Sequence, residues 1–173
     1  MSQPLRLGIA GLGTVGAGVV QILRKQAALL ETRTGRPLEI SAVSARSKGK
    51  DRGVNLSSYA WEDDPVTLAQ RDDVDVFVEL MGGEDGPAKA ATEAAIALSK
   101  DVVTANKAML AMHGQAMAEA AEAQGSVIKY EAAVAGGIPV IKALGEGLAG
   151  NEITRVMGVM NGSCHYILTR MED

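Results

Sequence analysis

Short runs of consecutive apolar residues alternate along the chain with longer stretches whose apolar residues recur at helical spacing. Strands buried on both faces of a parallel sheet have continuous apolar runs, whereas helices repeat their apolar positions every three or four residues. The runs predict five strands, at residues 5–10, 38–45, 75–80, 101–104 and 126–130. The alternation therefore predicts repeated βα units that build a parallel sheet.

The segment after the first predicted strand has the pattern of one amphipathic helix. Its apolar residues from Val15 to Leu30 line one face, and the pattern stops ahead of Pro37. After the second predicted strand, residues 47–65 are polar and rich in turn formers, which predicts an irregular excursion before a short helix at residues 66–70.

Two later helices are marked by residues that suit helix ends. Pro87 is favourable in the first turn of an alanine-rich helix that ends near Leu98. Gly125 suits the left-handed position that closes a helix over residues 107–124. Together with the strands, these helices predict an α/β fold, a Rossmann-type doubly wound parallel sheet.

The pattern changes after Glu131. A segment rich in glycine with one proline precedes a helical stretch to Leu148, a strand is predicted at residues 153–160, and a last helix follows. We interpret residues 1–131 as the Rossmann-type domain and residues 132–173 as the first elements of a second, α+β domain, which would be incomplete.

The charge and aromatic content of the chain argue against a nucleic-acid-binding protein. The chain has 21 acidic and 17 basic residues, a formal net charge of −4 and five aromatic residues, as Trp 1, Tyr 3 and Phe 1. Nucleic-acid-binding domains carry a basic surface and often stack bases on aromatic rings. We therefore expect no nucleic-acid partner.

The numbers of cysteines and histidines argue against a zinc-binding protein, and the longest uncharged stretch does not fit a membrane span or a signal peptide. Cys164 is the single cysteine and there are two histidines, too few for a zinc site of Cys and His ligands. Residues 7–23 are uncharged but contain five glycines and are too short to span a bilayer, and no basic segment and cleavage site of a signal peptide accompanies them. The sequence thus predicts no membrane association and a cytoplasmic location.

A glycine motif links the first predicted strand to the first predicted helix. Gly11, Gly13 and Gly16 fit the pattern G-x-G-x-x-G, in which the first glycine allows the turn, the second allows a pyrophosphate to approach and the third allows close packing of the helix. The diphosphate would lie at the positive end of the helix dipole. The predicted cofactor contacts of the turn are Gly11, Leu12, Gly13, Thr14, Val15 and Gly16. The alternative is a glycine-rich turn that binds nothing.

The residues after the second predicted strand bear on the choice of dinucleotide. An acidic residue there would bind the 2′-hydroxyl of NAD, whereas arginine accommodates the 2′-phosphate of NADP. Arg46 and Lys48 occupy this end, whereas Glu39 lies where the strand begins. The sequence therefore predicts NADP as the cofactor, with NAD as the alternative. The competing interpretation is that both cations are ordinary solvated loop residues.

Four further segments resemble successive signature segments of homoserine dehydrogenase. They are VELMGG (78–83), VVTANKAMLAMHG (102–114), YEAAVAGGIPVIKALGEGLAGN (130–151) and NGSCHYILTRME (161–172). With GIAGLGTVG (8–16) they cover most of the chain in the order of the family. The resemblance implies an oxidoreductase that interconverts L-homoserine and L-aspartate 4-semialdehyde with NAD(P), on the route from aspartate to threonine and methionine.

The resemblance also implies roles for particular residues. Lys107 of the TANK segment would be catalytic, near both nicotinamide and substrate, and Met81 and Gly82 of VELMGG would be further cofactor contacts. Ser163 would lie on the substrate side, where threonine is common in the family, and His165 stands where asparagine is common. Four residues match positions that bind a monovalent cation, usually sodium, through one carboxylate and backbone carbonyls, namely Glu131, Val134, Gly136 and Ile138.

The length of the chain is the main departure from the family. Family members continue into a substrate and dimerisation domain that supplies an acidic residue and a second lysine for homoserine binding and proton transfer. We therefore expect the 173-residue polypeptide to bind cofactor but to be inactive or nearly so on its own, and we expect a homodimer in the full-length protein. The competing function is a non-catalytic dinucleotide-binding module, regulatory or paired with a separate catalytic chain.

Overall fold

The computed structural model describes residues 2–158 and 162–172, with the backbone alone for residues 162–165 and 172. The strands are β1 (Leu5–Ala10), β2 (Leu38–Ser44), β3 (Ala60–Glu62), β4 (Val76–Glu79), β5 (Asp101–Thr104) and β6 (Ile128–Lys129). The helices are α1 (Thr14–Lys25), α2 (Ala27–Thr34), α3 (Pro65–Gln70), α4 (Pro87–Ala97), α5 (Lys107–Gln124), α6 (Glu131–Val134), α7 (Val140–Lys142) and α8 (Gly162–Glu172), and a π-helical turn (Ala143–Gly147) follows α7.

The six strands form one sheet in the order β3-β2-β1-β4-β5-β6, and every neighbouring pair is parallel. This is the strand order of a dinucleotide-binding doubly wound sheet, in which the chain moves outward from β1 in one direction and then in the other. The predicted α/β, Rossmann-type fold is confirmed.

The sheet carries a hydrophobic core on each face. Along β4, Phe77 packs with α3, α4 and α5 on one face, whereas Val76 and Val78 pack on the other face with Val20 of α1. Successive residues of a strand point to opposite faces of the sheet. A strand that is buried on both faces therefore has apolar residues at successive positions. This accounts for the uninterrupted apolar runs of the sequence.

Two local predictions were wrong, one for an edge strand of the sheet and one for the helix after β1. The excursion at residues 47–65 contains β3, a three-residue edge strand that is too short to show an alternating pattern. The single helix predicted after β1 is two helices, because Gln26 leaves helical geometry (φ −108°, ψ 16°) and ends α1. The helix over 107–124 and its left-handed cap at Gly125 (φ 68°) are confirmed.

Charged pairs stabilise the amino-terminal edge of the sheet. The Asp75 carboxylate accepts hydrogen bonds from the Arg6 backbone N–H (2.8 Å) and from its guanidinium Nε (3.1 Å) and Nη2 (2.6 Å). The Arg6 guanidinium holds the pKa of Asp75 below its usual value. In the same way, Arg71 holds the pKa of Asp73 below its usual value, through a hydrogen bond from its guanidinium. The Arg6–Asp75 contacts join β1 to the segment that leads into β4, and the Arg71–Asp73 pair lies within that segment.

The chain divides into two compact units, Met1–Ile141 and Lys142–Asp173. Within the second unit, the described residues contain the π-helical turn and the final helix, α8, as predicted. The predicted strand at residues 153–160 is wrong for residues 153–158, which have no regular structure, and its last two residues lie outside the described part. A strand needs a neighbour to pair its N–H and C=O groups, and the described residues of this unit provide no second strand.

Candidate functional site

The carboxyl ends of β1 and β4 mark the point at which the strand order reverses. Ligands of open α/β sheets bind in the crevice at this point, because the loops on its two sides lead away in opposite directions. Here the Gly11 N–H donates to the Ser44 carbonyl (2.9 Å), and the Leu80 N–H donates to the Ala10 carbonyl (2.8 Å). The turn after β1 is thus fixed between β2 and β4 at the edge of this crevice.

Two glycines of this turn are required by the packing. Gly11 has φ +95°, and a Cβ atom built on it would lie 2.5 Å from the Leu80 carbonyl oxygen. A Cβ atom on Gly16 would lie 1.9 Å from the Gly11 carbonyl oxygen. A side chain is excluded at both positions, in agreement with the predicted steric roles of a tight turn and a closely packed helix.

Gly13 differs from its two neighbours in the motif because no atom lies within 4 Å of a Cβ atom built on it. It is the N-cap residue of α1, and no side chain caps the helix. The first N–H groups of a helix have no acceptor within the helix, so this end offers backbone donors and a positive dipole to an anion. The open space beside Gly13 lies where such an anion would approach.

The other predicted residues of the turn differ in exposure. Leu12 is buried in the core beside Val20, so only its backbone faces the turn. Thr14 and Val15 are exposed at the first turn of α1. Val15 is an apolar side chain with 59% of its surface exposed.

The predicted cations follow β2. Arg46 and Lys48 are both exposed, and the Lys48 ammonium lies 6.0 Å from the centre of the Trp61 ring. Glu39 pairs with Arg6 at the amino-terminal half of β2, away from this edge, as expected. The structure therefore places Arg46 and Lys48 at the edge of the sheet where the glycine turn also lies.

Sequence reasoning missed Arg52, which connects this loop to the glycine turn. Its guanidinium donates to the carbonyl oxygens of Leu12 (3.1 Å), Lys50 (2.7 Å) and Ser47 (2.5 Å), and it lies 5.6 Å from the centre of the Trp61 ring. Backbone carbonyls from separate segments leave no pattern in the sequence, so no local signal could have identified this role. Arg52 holds the loop that carries Arg46 and Lys48 against the turn.

Sequence reasoning also missed Glu79, the last residue of β4, whose side chain is fully buried. One carboxylate oxygen accepts hydrogen bonds from the N–H groups of Met81 (2.7 Å) and Gly82 (3.1 Å), and the other accepts from the Thr104 hydroxyl (2.6 Å). The predicted cofactor contacts Met81 and Gly82 are therefore held by Glu79, and their N–H groups are already used. Its apolar neighbours made Glu79 look like part of a buried strand.

Lys107 is the first residue of α5 and is exposed. Asn106 precedes it as the N-cap, and its side-chain oxygen accepts from the Met109 N–H (3.1 Å). Its side-chain amide donates to the Gly83 carbonyl (2.7 Å). A cation in the first turn opposes the helix dipole, so Lys107 is at a position that is unfavourable for helix stability.

The residues predicted to hold a cation lie in one short segment. Glu131 and Val134 begin and end α6, and Gly136 and Ile138 follow it around a reversal at Gly137 (φ +83°). The Glu131 carboxylate accepts from the Ile141 N–H (3.0 Å), and the Ile138 carbonyl accepts from the Val140 N–H (2.8 Å). Within the described residues no three His, Cys, Asp or Glu side chains cluster as metal ligands, so carbonyl oxygens would have to supply most of the donors.

Ser163 is the second residue of α8, in the second unit, and its side chain lies outside the described part of the chain. The predicted contact of Ser163 with substrate therefore stays a prediction. Among the helices that the structure describes, none has the length and hydropathy needed to cross a bilayer.

Comparison with known proteins identifies the family. The family model for the NAD binding domain of homoserine dehydrogenase matches residues 11–131, and the homoserine dehydrogenase model matches residues 139–173. The chain is 46% identical to homoserine dehydrogenase of Neisseria gonorrhoeae over 171 residues and 38% identical to that of Bacillus subtilis over 169 residues. These alignments cover 99% and 98% of this chain but only 39% of each relative.

Solved structures agree with the sequence comparisons. A homoserine dehydrogenase from Thiobacillus denitrificans superposes with a TM-score of 0.86 at 39% identity, over 98% of this chain and 39% of that one. A hyperthermophilic archaeal homoserine dehydrogenase in complex with NADPH has the same fold, with a TM-score of 0.79 at 24% identity, over 98% of this chain and 56% of that one. The chain therefore belongs to the homoserine dehydrogenase family and contains the NAD-binding domain of that family.

Proposed function

We propose that this chain is the cofactor-binding part of an NADP-preferring oxidoreductase that interconverts L-homoserine and L-aspartate 4-semialdehyde by hydride transfer. The observation that carries the proposal is the turn after β1, where Gly11 and Gly16 are closed to any side chain and Gly13 is open. A tight turn with uncapped helix N–H groups beside open space is the arrangement that binds a dinucleotide pyrophosphate. Membership of the family supplies the reaction, which belongs to threonine and methionine biosynthesis from aspartate.

The residues that would hold the cofactor lie along one edge of the sheet. The backbone of residues 11–16 would bind the pyrophosphate, and Arg46 and Lys48 would bind the 2′-phosphate of the adenosine ribose. Both cations are exposed, and Arg52 fixes their loop to the turn. When bound, the nicotinamide accepts or donates the hydride. Charge-assisted hydrogen bonds from guanidinium to phosphate supply the preference for NADP.

Lys107 is the chemical group that this chain would contribute to the reaction. Its exposed ammonium group follows β5 at the carboxyl edge of the sheet, where it would donate a hydrogen bond to the hydroxyl or carbonyl oxygen of the substrate. This contact stabilises the negative charge that develops on that oxygen during hydride transfer. The rest of the substrate pocket would come from elements outside this chain, which spans 39% of the length of its relatives from Neisseria and Bacillus.

Calorimetric titration with NADPH and NADH tests the cofactor preference. Wild type should bind NADPH more tightly than NADH. Arg46→Ala should lose about 1.5 to 3 kcal/mol of NADPH binding with little effect on NADH, because one charge-assisted phosphate contact is removed. Arg33→Ala, in the last turn of α2, is the matched control and should change neither affinity. Equal affinities for the two nucleotides in all three proteins would contradict the preference for NADP.

A sodium site at Glu131, Val134, Gly136 and Ile138 is a second part of the proposal. One carboxylate with backbone carbonyl oxygens suits a hard cation, and Gly137 in the left-handed region lets the segment fold back on itself. Sodium chloride should raise the midpoint of thermal unfolding above that in choline chloride at equal ionic strength, because a ligand of the folded state stabilises it. Glu131→Gln should remove the difference. Identical midpoints of wild type in the two salts would contradict a sodium site.

The division at residue 131, a homodimer of the longer protein and a cytoplasmic location stay predictions. Along the chain, the boundary between the two compact units falls between Ile141 and Lys142, whereas the match to the NAD-binding family model ends at residue 131. Sedimentation of a chain extended to the length of its relatives would test the homodimer.

A further inference from the structure

Glu79 is a buried carboxylate that the proposed reaction does not use. No part of its side chain is exposed, and burial of a carboxylate is costly unless it receives hydrogen bonds. Three donors reach it, namely the N–H groups of Met81 and Gly82 and the hydroxyl of Thr104. Met81 and Gly82 lie in the loop after β4, and Thr104 is the last residue of β5, from which the next loop leaves. Glu79 therefore joins these loops.

The hydrogen bonds continue from Thr104 into the start of α5 and return to the first loop. The Thr104 oxygen accepts from the Asn106 N–H (3.0 Å), while its own hydrogen is donated to Glu79. The side-chain amide of Asn106 then donates to the Gly83 carbonyl. A closed circuit of hydrogen bonds thus runs from Glu79 through Thr104 and Asn106 to the loop at residues 81–83.

The circuit sets the orientation of the backbone on both sides. A trans peptide unit is planar and its C=O points opposite to its N–H, so the Gly82 N–H bond to Glu79 turns the Met81 carbonyl away from Glu79. On the other side, Asn106 caps α5 and so fixes the backbone from which Lys107 projects.

We propose that Glu79 is a positioning residue for the nicotinamide half of the cofactor and for Lys107. This inference rests on the proposed function and on the predictions that Met81 and Gly82 contact the cofactor and that Lys107 lies near its nicotinamide. Glu79 holds the loop and the start of α5 in one arrangement before ligand binds. The adenine half of the cofactor would lie against β2 and the glycine turn. The Met81 nitrogen packs against Gly11 of that turn, but none of the hydrogen bonds of the circuit reaches β2 or the turn. Loss of Glu79 therefore affects the two halves of the cofactor differently.

Two variants interrupt the circuit with little change in shape. Glu79→Gln keeps an oxygen for the N–H groups of Met81 and Gly82, but its NH2 group can only donate to the Thr104 oxygen, so the Thr104 hydrogen loses its acceptor. Thr104→Val removes the hydroxyl and leaves a carboxylate oxygen and the Asn106 N–H without partners. Thr104→Ser is the conservative control, since it retains the hydroxyl. Thermal unfolding shows whether each variant folds.

The test compares two ligands, NADPH and 2′-phospho-ADP-ribose, which has the same adenine half without nicotinamide. Glu79→Gln and Thr104→Val should each weaken NADPH binding by about tenfold and 2′-phospho-ADP-ribose binding by less than about twofold, whereas Thr104→Ser should resemble wild type. Equal weakening of both ligands, or no weakening of either, would overturn the positioning role. Wild type that binds neither ligand would instead overturn the cofactor site, and this inference with it.

A measurement on wild type serves if both variants fail to fold. NADPH, but not 2′-phospho-ADP-ribose, should shift the backbone amide resonances of Gly82, Gly83 and Lys107. The same shifts with both ligands, or no shift with NADPH while residues 11–16 respond, would overturn the inference and leave the cofactor site intact.

Discussion

Gly16 packs so closely against Gly11 that a Cβ atom on Gly16 would lie 1.9 Å from the Gly11 carbonyl oxygen. The contact joins the first turn of α1 to the end of β1, so it fixes the direction in which the helix leaves the strand. Two residues of the motif are thus required by packing, whereas the third, Gly13, has open space beside it, where we propose that the pyrophosphate binds.

This contact predicts opposite effects for two glycine substitutions in one helix. Gly16→Ala should lower the free energy of unfolding by about 3 kcal/mol, because backbone must move to admit the methyl group. Gly18→Ala, also in α1 but with no atom within 4 Å of its Cβ position, should raise it by about 0.5 to 1 kcal/mol through helix propensity. Urea unfolding measures both. A Gly16→Ala protein as stable as wild type would show that the close contact is wrong.

Asp75 predicts a pH-dependent loss of stability. The Arg6 guanidinium holds its pKa below the usual value, so the folded state binds a proton less readily than the unfolded state. The stabilisation is therefore complete above the ordinary carboxyl pKa of about 3.9, and it is lost as the pH falls through the lower pKa of the folded state.

Asp75→Asn isolates this contribution. The variant should unfold at a lower temperature than wild type at neutral pH, and the difference should shrink below about pH 4. Asp72→Asn is the control, since Asp72 is exposed nearby and accepts no hydrogen bond within the described residues. A difference between Asp75→Asn and wild type that stays constant down to acidic pH would exclude the ion pair as its cause.

Lys107 predicts a substitution that stabilises the fold. Because its ammonium group lies at the positive end of the α5 dipole, Lys107→Gln should raise the free energy of unfolding by about 0.3 to 1 kcal/mol. Lys25→Gln, in the last turn of α1, should lower it by a similar amount because a cation is favourable there. Both effects should fall with added salt. A destabilised Lys107→Gln protein would show that the lysine serves the fold and would remove this argument for a function.

Most of the sheet could be predicted from the sequence, because strands buried on both faces leave continuous apolar runs between helices. The glycine turn could also be predicted, since its three glycines fall within the six residues 11–16. Glu79 and Arg52 could not, because their partners come from segments that are distant in sequence or are backbone atoms. The strand predicted at residues 153–160 was wrong for residues 153–158 because apolar spacing cannot show whether a pairing strand is present.

Because we propose that this chain supplies the cofactor site and only part of the substrate pocket, we expect it to bind the cofactor without converting homoserine. Hydride transfer needs cofactor, substrate and proton-transfer groups held in contact, and only Lys107 of the predicted reaction groups has a described place in this chain. The purified 173-residue chain should form little or no NADPH from NADP and homoserine, and the full-length homoserine dehydrogenase of Neisseria gonorrhoeae is the positive control in the same assay. Robust turnover by the 173-residue chain would contradict the prediction that it lacks part of the substrate pocket.

The most direct test of the account is an NMR titration of the backbone amides of residues 11–16 with NADPH. We expect large, saturable shifts of the Gly13, Thr14 and Val15 amide resonances, since the pyrophosphate would bind at the start of α1. Resonances at the amino edge of the sheet, such as that of Asp75, should not move. Amides at residues 11–16 that stay unshifted at saturating NADPH would contradict the dinucleotide site and the enzyme function proposed from it.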